Sequence, residues 1–285
     1  MPAHVALFVV AAVYGVNYLV AKGLMPDVIG PSGFIAIRVS GAGILFLLLF
    51  LFKPEKLAKK DIPRLILCGM TGVAANQLFF FNGLAITSPV NASIIMTSNP
   101  ILVLLMSAVI LGTKITGRKI LGISLGAAGA VLLLLLSNQS NSEHVSTLGD
   151  IFVLLNATSY GIYLVTVKPL ITKYKPVTVV FYVFLFGWLC VLPFGWNQAM
   201  EVEWVALTAA QWGSIFYVVI ATTFVVYLLN MFALRQVQPT VVSVYIYLQP
   251  LMAGLAALVF AAWGLTDYTG DIDLLRLLCA LLIFI

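Results

Sequence analysis

Apolar runs about as long as a bilayer is thick occupy most of this chain. They lie at residues 4–24, 32–52, 63–84, 89–111, 119–137, 148–168, 177–195, 211–234, 239–262 and 271–285. A helix needs about 20 mostly apolar residues to cross a membrane. The pattern therefore predicts an all-α integral membrane protein of ten transmembrane helices, the last a thin or shortened one. Composition agrees, with 62% hydrophobic and only 9% charged residues, against about 25% charged in soluble domains. The first run begins without a charged leader and reads as a retained span, not a signal peptide.

The net charge of +5 comes from basic residues scattered in short loops, which argues against a nucleic-acid partner. Lys53, Lys56, Lys59, Lys60, Arg64, Lys114, Arg118, Lys119, Lys173, Lys175 and Arg235 fall in loops on the same side as the N-terminus. Opposite loops hold Asp27, Glu143, Asp150, Glu201, Glu203, Asp267 and Asp271. Basic loops stay cytoplasmic, so a multi-pass protein of the cell's inner (plasma) membrane with both termini cytoplasmic is expected. Cys68, Cys190 and Cys279 each sit alone in an apolar run and read as small buried hydrophobes.

The chain repeats itself. LAITSPVNASIIMTSNP (84–100) aligns with LRQVQPTVVSVYIYLQP (234–250) through Leu84/Leu234, Pro89/Pro239, Ser93/Ser243 and Pro100/Pro250. YGVNYLVAKGL (14–24) aligns with YGIYLVTVKPL (160–170) through Tyr14/Tyr160, Gly15/Gly161, Lys22/Lys168 and Leu24/Leu170. The blocks fall in the first and fourth runs, then in the sixth and ninth. Residues 1–137 and 148–285 thus form two five-helix repeats. Five is odd, so the second enters the membrane inverted, an arrangement common in secondary transporters.

These features resemble the EamA-type branch of the drug/metabolite transporter superfamily. The resemblance rests on Tyr14-Gly15 with Asn17 and Lys22, on Arg38, on the segment from Asn82 to Pro100, and on the glycine-rich run Gly122–Leu134. It implies ten helices in two inverted halves and export of small metabolites such as amino acids. The chain departs from that pattern where the family usually has Gly-Glu at the ends of its fourth and ninth helices. Here the first site reads Gly112-Thr113-Lys114, and the second, at Trp263-Gly264, has no Glu.

Pro100 and Pro250 lie near the middle of their apolar runs. An interior proline removes an amide donor and frees the carbonyl four residues back, here those of Met96 and Ile246. In lipid such backbone survives only where it is buried in protein or lines a wet cavity. Ser93, Thr97 and Pro100 share one face, as do Ser243, Tyr247 and Pro250. The two faces read as the lining of a central cavity, or as packing kinks. Asn99 and Gln249 precede the prolines. Other runs add Tyr14, Asn17, Tyr18, Asn76, Gln77, Tyr160, Tyr163, Thr223, Tyr227 and Asn230. Amides in a span are costly unless paired, so these face inward as interhelical ties or substrate contacts. Such a lining suits a small zwitterion. Lys22 and Lys168 lie at run ends and read as snorkelling residues. Arg38 is deeper, and either meets a substrate carboxylate or ties backbone carbonyls.

No Asp or Glu lies well inside a run; Asp150, Asp271 and Asp273 sit at the ends. Proton-coupled and cation-exporting proteins usually need an intramembrane carboxylate, which favours a neutral, zwitterionic or anionic substrate. His4 and His144 lie outside the spans, and no HExxH or GxSxG occurs. With neither catalytic residues nor a metal site or cofactor indicated, an enzyme is not expected. A lipid flippase or a nucleotide-sugar or organic-anion carrier of the same fold is the alternative. Gly122 and Gly126 form a GxxxG that serves packing within a monomer or a homodimer contact.

Overall fold

The computed structural model describes residues 2–87, 92, 95–137 and 146–262. The tenth run and Ser93 lie outside the described residues, as do the side chains of Tyr18, Lys22 and Pro250. The helices are α1 (Pro2–Lys22), α2 (Pro31–Phe52), α3 (Lys59–Ile86), α4 (Asn99–Leu111), α5 (Gly117–Ser137), α6 (Thr147–Lys173), α7 (Pro176–Met200), α8 (Ala209–Gln236) and α9. The last runs through Pro239–Val244, Tyr245–Leu248 and Gln249–Ala262. No strand occurs among the described residues. Seven of these helices, all but α4 and α5, are long and apolar enough to cross a membrane. The chain is an all-helical, multi-pass membrane protein.

Local chemistry sets the helix ends. Pro31, Pro176 and Pro239 open their helices, where a missing N–H costs nothing and the fixed φ fits. A capping box opens α8, with Thr208 Oγ1 accepting from Gln211 N and Gln211 Oε1 accepting from Thr208 N. At the end of α4, Gly112 adopts φ 66°, and a β-carbon added there would meet nothing within 4 Å. Conformation alone selects glycine there.

The duplicated prolines do not sit inside continuous helices. A turn at Thr97–Ser98 interrupts the fourth run, and α4 starts afresh at Asn99 with Pro100 in its first turn. In α9, Tyr245–Leu248 tightens to a 3-10 helix before Gln249-Pro250 opens the next segment. Each proline therefore occupies a helix start, where it is tolerated, and the disruption lies just upstream. Two further breaks match each other. α3 carries a π-helical stretch at Met70–Ala75 and α8 one at Val218–Val225.

Helix contacts come in pairs under exchange of α1 with α6, α2 with α7, α3 with α8 and α4 with α9. α1 packs on α8 and α9, while α6 packs on α3 and α4. α2 touches α8 as α7 touches α3, and α2 and α7 pack along each other. The aligned glycines make reciprocal contacts. A β-carbon on Gly15 would lie 2.5 Å from Met252 Cβ in α9, and one on Gly161 would lie 3.0 Å from Met106 Sδ in α4. α2 and α7 approach closely at Gly195, whose added β-carbon would stand 2.3 Å from the Ser32 carbonyl. Among the described residues one apolar core runs through α2, α3, α6, α7 and α8, with Phe46 against Phe184 and Phe184 edge-on to Tyr227.

Candidate functional site

The helix breaks gather around one cavity of about 110 Å³. Tyr14 and Asn17 of α1, Arg38 of α2, and Asn76, Gln77, Phe80 and Phe81 of α3 line it. So do Asn156 and Tyr160 of α6, Tyr227 of α8, and Ile246 and Gln249 of α9, with Met96 at the break before α4. Met96 and Ile246 lie four residues before Pro100 and Pro250, and the Ile246 carbonyl accepts from Gln249 N. A site of this size has room for several waters or a small solute.

Side chains from neighbouring helices hold the irregular backbone that shapes the cavity. The π-helical stretch of α3 is tied by Ser159 Oγ to Thr71 O (2.7 Å), and by Tyr227 Oη to Gly72 O (2.9 Å). Just beyond it, Asn156 Nδ2 donates to Asn76 O (2.5 Å). In α8, Thr222 and Thr223 both donate to Val218 O, at 2.7 and 2.8 Å. In lipid each unmet carbonyl costs several kcal/mol, so these hydroxyls and amides stabilise the broken helices.

Arg38 is the one cation among the lining residues, and its side chain is buried at 4% exposure. Nε donates to Thr223 Oγ1 at 3.0 Å. The rings of Phe34 and Phe81 lie 5.7 and 5.5 Å from the guanidinium carbon. No carboxylate among the described residues pairs with it; the ion pair they contain is Lys173–Asp61, at the helix ends. The lining amides are poorly satisfied. Asn17 Oδ1 and Asn156 Oδ1 are buried without a hydrogen-bond partner, and the buried Gln77 amide has only the Tyr227 hydroxyl beside it. Asn156 is oriented by its own bond, since a backbone carbonyl accepts only from its NH₂ group, and its oxygen therefore remains an acceptor.

Eight of the residues singled out from sequence line the cavity: Tyr14, Asn17, Arg38, Asn76, Gln77, Tyr160, Tyr227 and Gln249. Six others serve the framework. Tyr247 Oη donates to Thr97 O and Ile123 O, each at 3.2 Å, and its ring fills the space over Gly126. Thr97 itself is buried beside that contact. Asn99 Nδ2 donates to Ala157 O at 2.9 Å. Tyr163 packs on Gly72, with its hydroxyl 3.7 Å from Met231 Sδ. Thr223 holds Arg38. Pro100 is buried at the start of α4. Of the faces Ser93/Thr97/Pro100 and Ser243/Tyr247/Pro250, read as cavity walls, none of the described side chains lines the cavity. Met96, Ile246 and Gln249 line it, and Ser243 Oγ donates to Thr240 O.

Lys168 does not snorkel. Its ammonium donates to Leu234 O (2.5 Å) and Val237 O (2.8 Å), capping the end of α8. Gly126 serves packing inside the chain, under Tyr247, whereas nothing lies within 4 Å of a β-carbon on Gly122. Asn156, Phe80 and Phe81 were missed. Asn156 aligns with Val10 at the offset of the first motif pair, so the repeat gave no pointer to it. Its signal was an amide in the middle of an apolar run.

Two stretches of the chain, residues 1–135 and 147–269, each match the EamA-like transporter family. The chain belongs to that family. It is 26% identical over 238 residues to an uncharacterized transporter of Archaeoglobus fulgidus, covering 84% of this chain and 83% of that protein. It is 24% identical to the uncharacterized transporter YyaM of Bacillus subtilis, over 78% and 74% of the two chains. A probable terminal-alkyne amino-acid exporter of Streptantibioticus cattleyicolor is 28% identical, over 47% of this chain and 44% of that one. A crystal structure superposes with a TM-score of 0.73 at 16% identity, covering 99% of this chain and 93% of the other, which shows a shared fold. This EamA-like chain is thus a membrane transporter protein with a small polar cavity at its helix breaks.

Proposed function

We propose that the protein exports a small zwitterionic metabolite of the amino-acid kind, by alternating access around the central cavity. One observation carries the reading: a single buried cation, Arg38, shares the cavity with the unpartnered acceptor oxygens of Asn17 and Asn156. A carboxylate would meet the guanidinium, and an ammonium would meet the amide oxygens. Phe80, Phe81 and the tyrosines would take the apolar part. In this reading residues 1–137 and 148–285 are two inverted repeats, and the reciprocal contacts of Gly15 and Gly161 support it. The breaks before Pro100 and Pro250 then act as paired hinges. Both termini face the cytoplasm of a plasma-membrane protein. The partially covering exporter relative supports the substrate class.

A nucleotide-sugar carrier would call for several basic residues in the wall, and among the described side chains Arg38 is the one there. The test is a melting screen of purified protein against amino acids, organic acids, nucleotide sugars, lysolipids and organic cations, in chloride-free buffer. A ligand at about 100 times its dissociation constant adds about 2.7 kcal/mol to the folded state. Amino acids should raise the melting temperature, and Asn156→Leu should erase the rise. A panel in which lysolipids, nucleotide sugars or cations alone act would refute the substrate class.

A further inference from the structure

We infer that the Arg38 end of the cavity is a binding site for a small monovalent inorganic anion, chloride in ordinary solutions, which occupies it when no substrate is present. A guanidinium keeps its charge under all ordinary conditions. Burying an unneutralised ion is expensive even after the surroundings relax. Among the described residues its partners are neutral: the Thr223 hydroxyl at 3.0 Å and two phenylalanine rings. Cation–π contacts of this kind stabilise but do not neutralise. No acidic residue can reach inward from a described helix. Of those helices, α6 alone has a carboxylate within its apolar run, Asp150 at the run's end, and this accepts from Thr87 Oγ1. An anion from solution would supply the counter-charge that the described residues lack.

Suitable donors are already in place. Nε of Arg38 donates to Thr223, and the side chain lines the cavity. Gln77 is 4% exposed, lines the same cavity, and has the Tyr227 hydroxyl as its one polar neighbour among the described side chains. Arg38, Gln77 and Tyr227 line one cavity, which brings the guanidinium and the Gln77 amide to the same wall. Two such donor groups can hold a halide, with water filling the rest of about 110 Å³. A single cation is balanced by a monovalent anion, whereas a dianion would leave an excess buried charge. Binding a carboxylate substrate would displace the halide. That competition rests on the substrate reading above; the anion site itself rests on the cavity alone.

Purified full-length protein is melted at constant ionic strength while gluconate is replaced by chloride or bromide. A saturable rise in melting temperature is expected for the wild type. At ten times its dissociation constant the halide shifts the folding equilibrium elevenfold, about 1.4 kcal/mol. Gln77→Glu places a carboxylate beside Arg38, so that an internal ion pair replaces the anion and melting becomes halide-independent. Arg38→Gln should lose the response too; if it does not fold, Gln77→Glu still decides. A wild type that melts identically in gluconate and chloride overturns the proposal. So does a Gln77→Glu protein that keeps the full halide response. Neither result depends on whether any amino acid binds, so failure of the substrate screen would leave this test standing.

Discussion

Removing the Tyr247 hydroxyl tests whether this residue belongs to the framework or to the substrate. In the structure its ring is 1% exposed and packs over Gly126, while Oη donates to Thr97 O and Ile123 O at 3.2 Å each. Tyr247→Phe keeps the ring and deletes both bonds. Leaving a buried acceptor unsatisfied costs about 1–3 kcal/mol in soluble proteins, but interhelical bonds in membranes average about 0.6 kcal/mol. Two long bonds, one of them closing the break before Pro100, should together contribute about 1–2 kcal/mol. Tyr247→Ala also removes the ring and should cost about 3–5 kcal/mol. SDS titration in mixed micelles, followed by far-ultraviolet circular dichroism, measures both. Ligand-induced stabilisation should survive in Tyr247→Phe. A phenylalanine variant as stable as wild type that no longer responds to substrate would refute the framework assignment.

Two other perturbations follow from close contacts. Gly15→Ala should destabilise by about 1–3 kcal/mol, because its β-carbon meets Met252 Cβ at 2.5 Å and Ala253 N at 2.7 Å. Gly161→Ala should cost under about 1 kcal/mol, since it meets only the movable Met106 Sδ at 3.0 Å; thermal melts of the pair should separate accordingly. Lys168→Met should destabilise by about 1–2 kcal/mol by uncapping Leu234 O and Val237 O. Hydrogen exchange should then rise selectively at the end of α8, and unchanged exchange there would contradict the capping role.

Periodicity and polarity in the sequence determine the solvent and the element type. A chain with so few charges and such long apolar runs must place helices in lipid, because no other element satisfies its own backbone there. The aligned motifs also pointed to Tyr14 and Tyr160, which line the cavity at matching positions, and to Gln249, which lines it although its counterpart Asn99 does not. Tertiary structure decided the rest. An amide or hydroxyl within an apolar run must find a partner, but the run does not say whether that partner is a substrate, a backbone carbonyl or another side chain. Tyr247, Asn99 and Lys168 turned out to satisfy carbonyls left open by the breaks at 97–98, the crossing of α4 on α6 and the end of α8. At the breaks, where the backbone leaves the α-helical twist, Met96 and Ile246 line the cavity while their neighbours Thr97 and Tyr247 do not. Which side of a helix faces a cavity depends on that local twist and on the neighbouring helix, and neither is written in the spacing of the residues themselves.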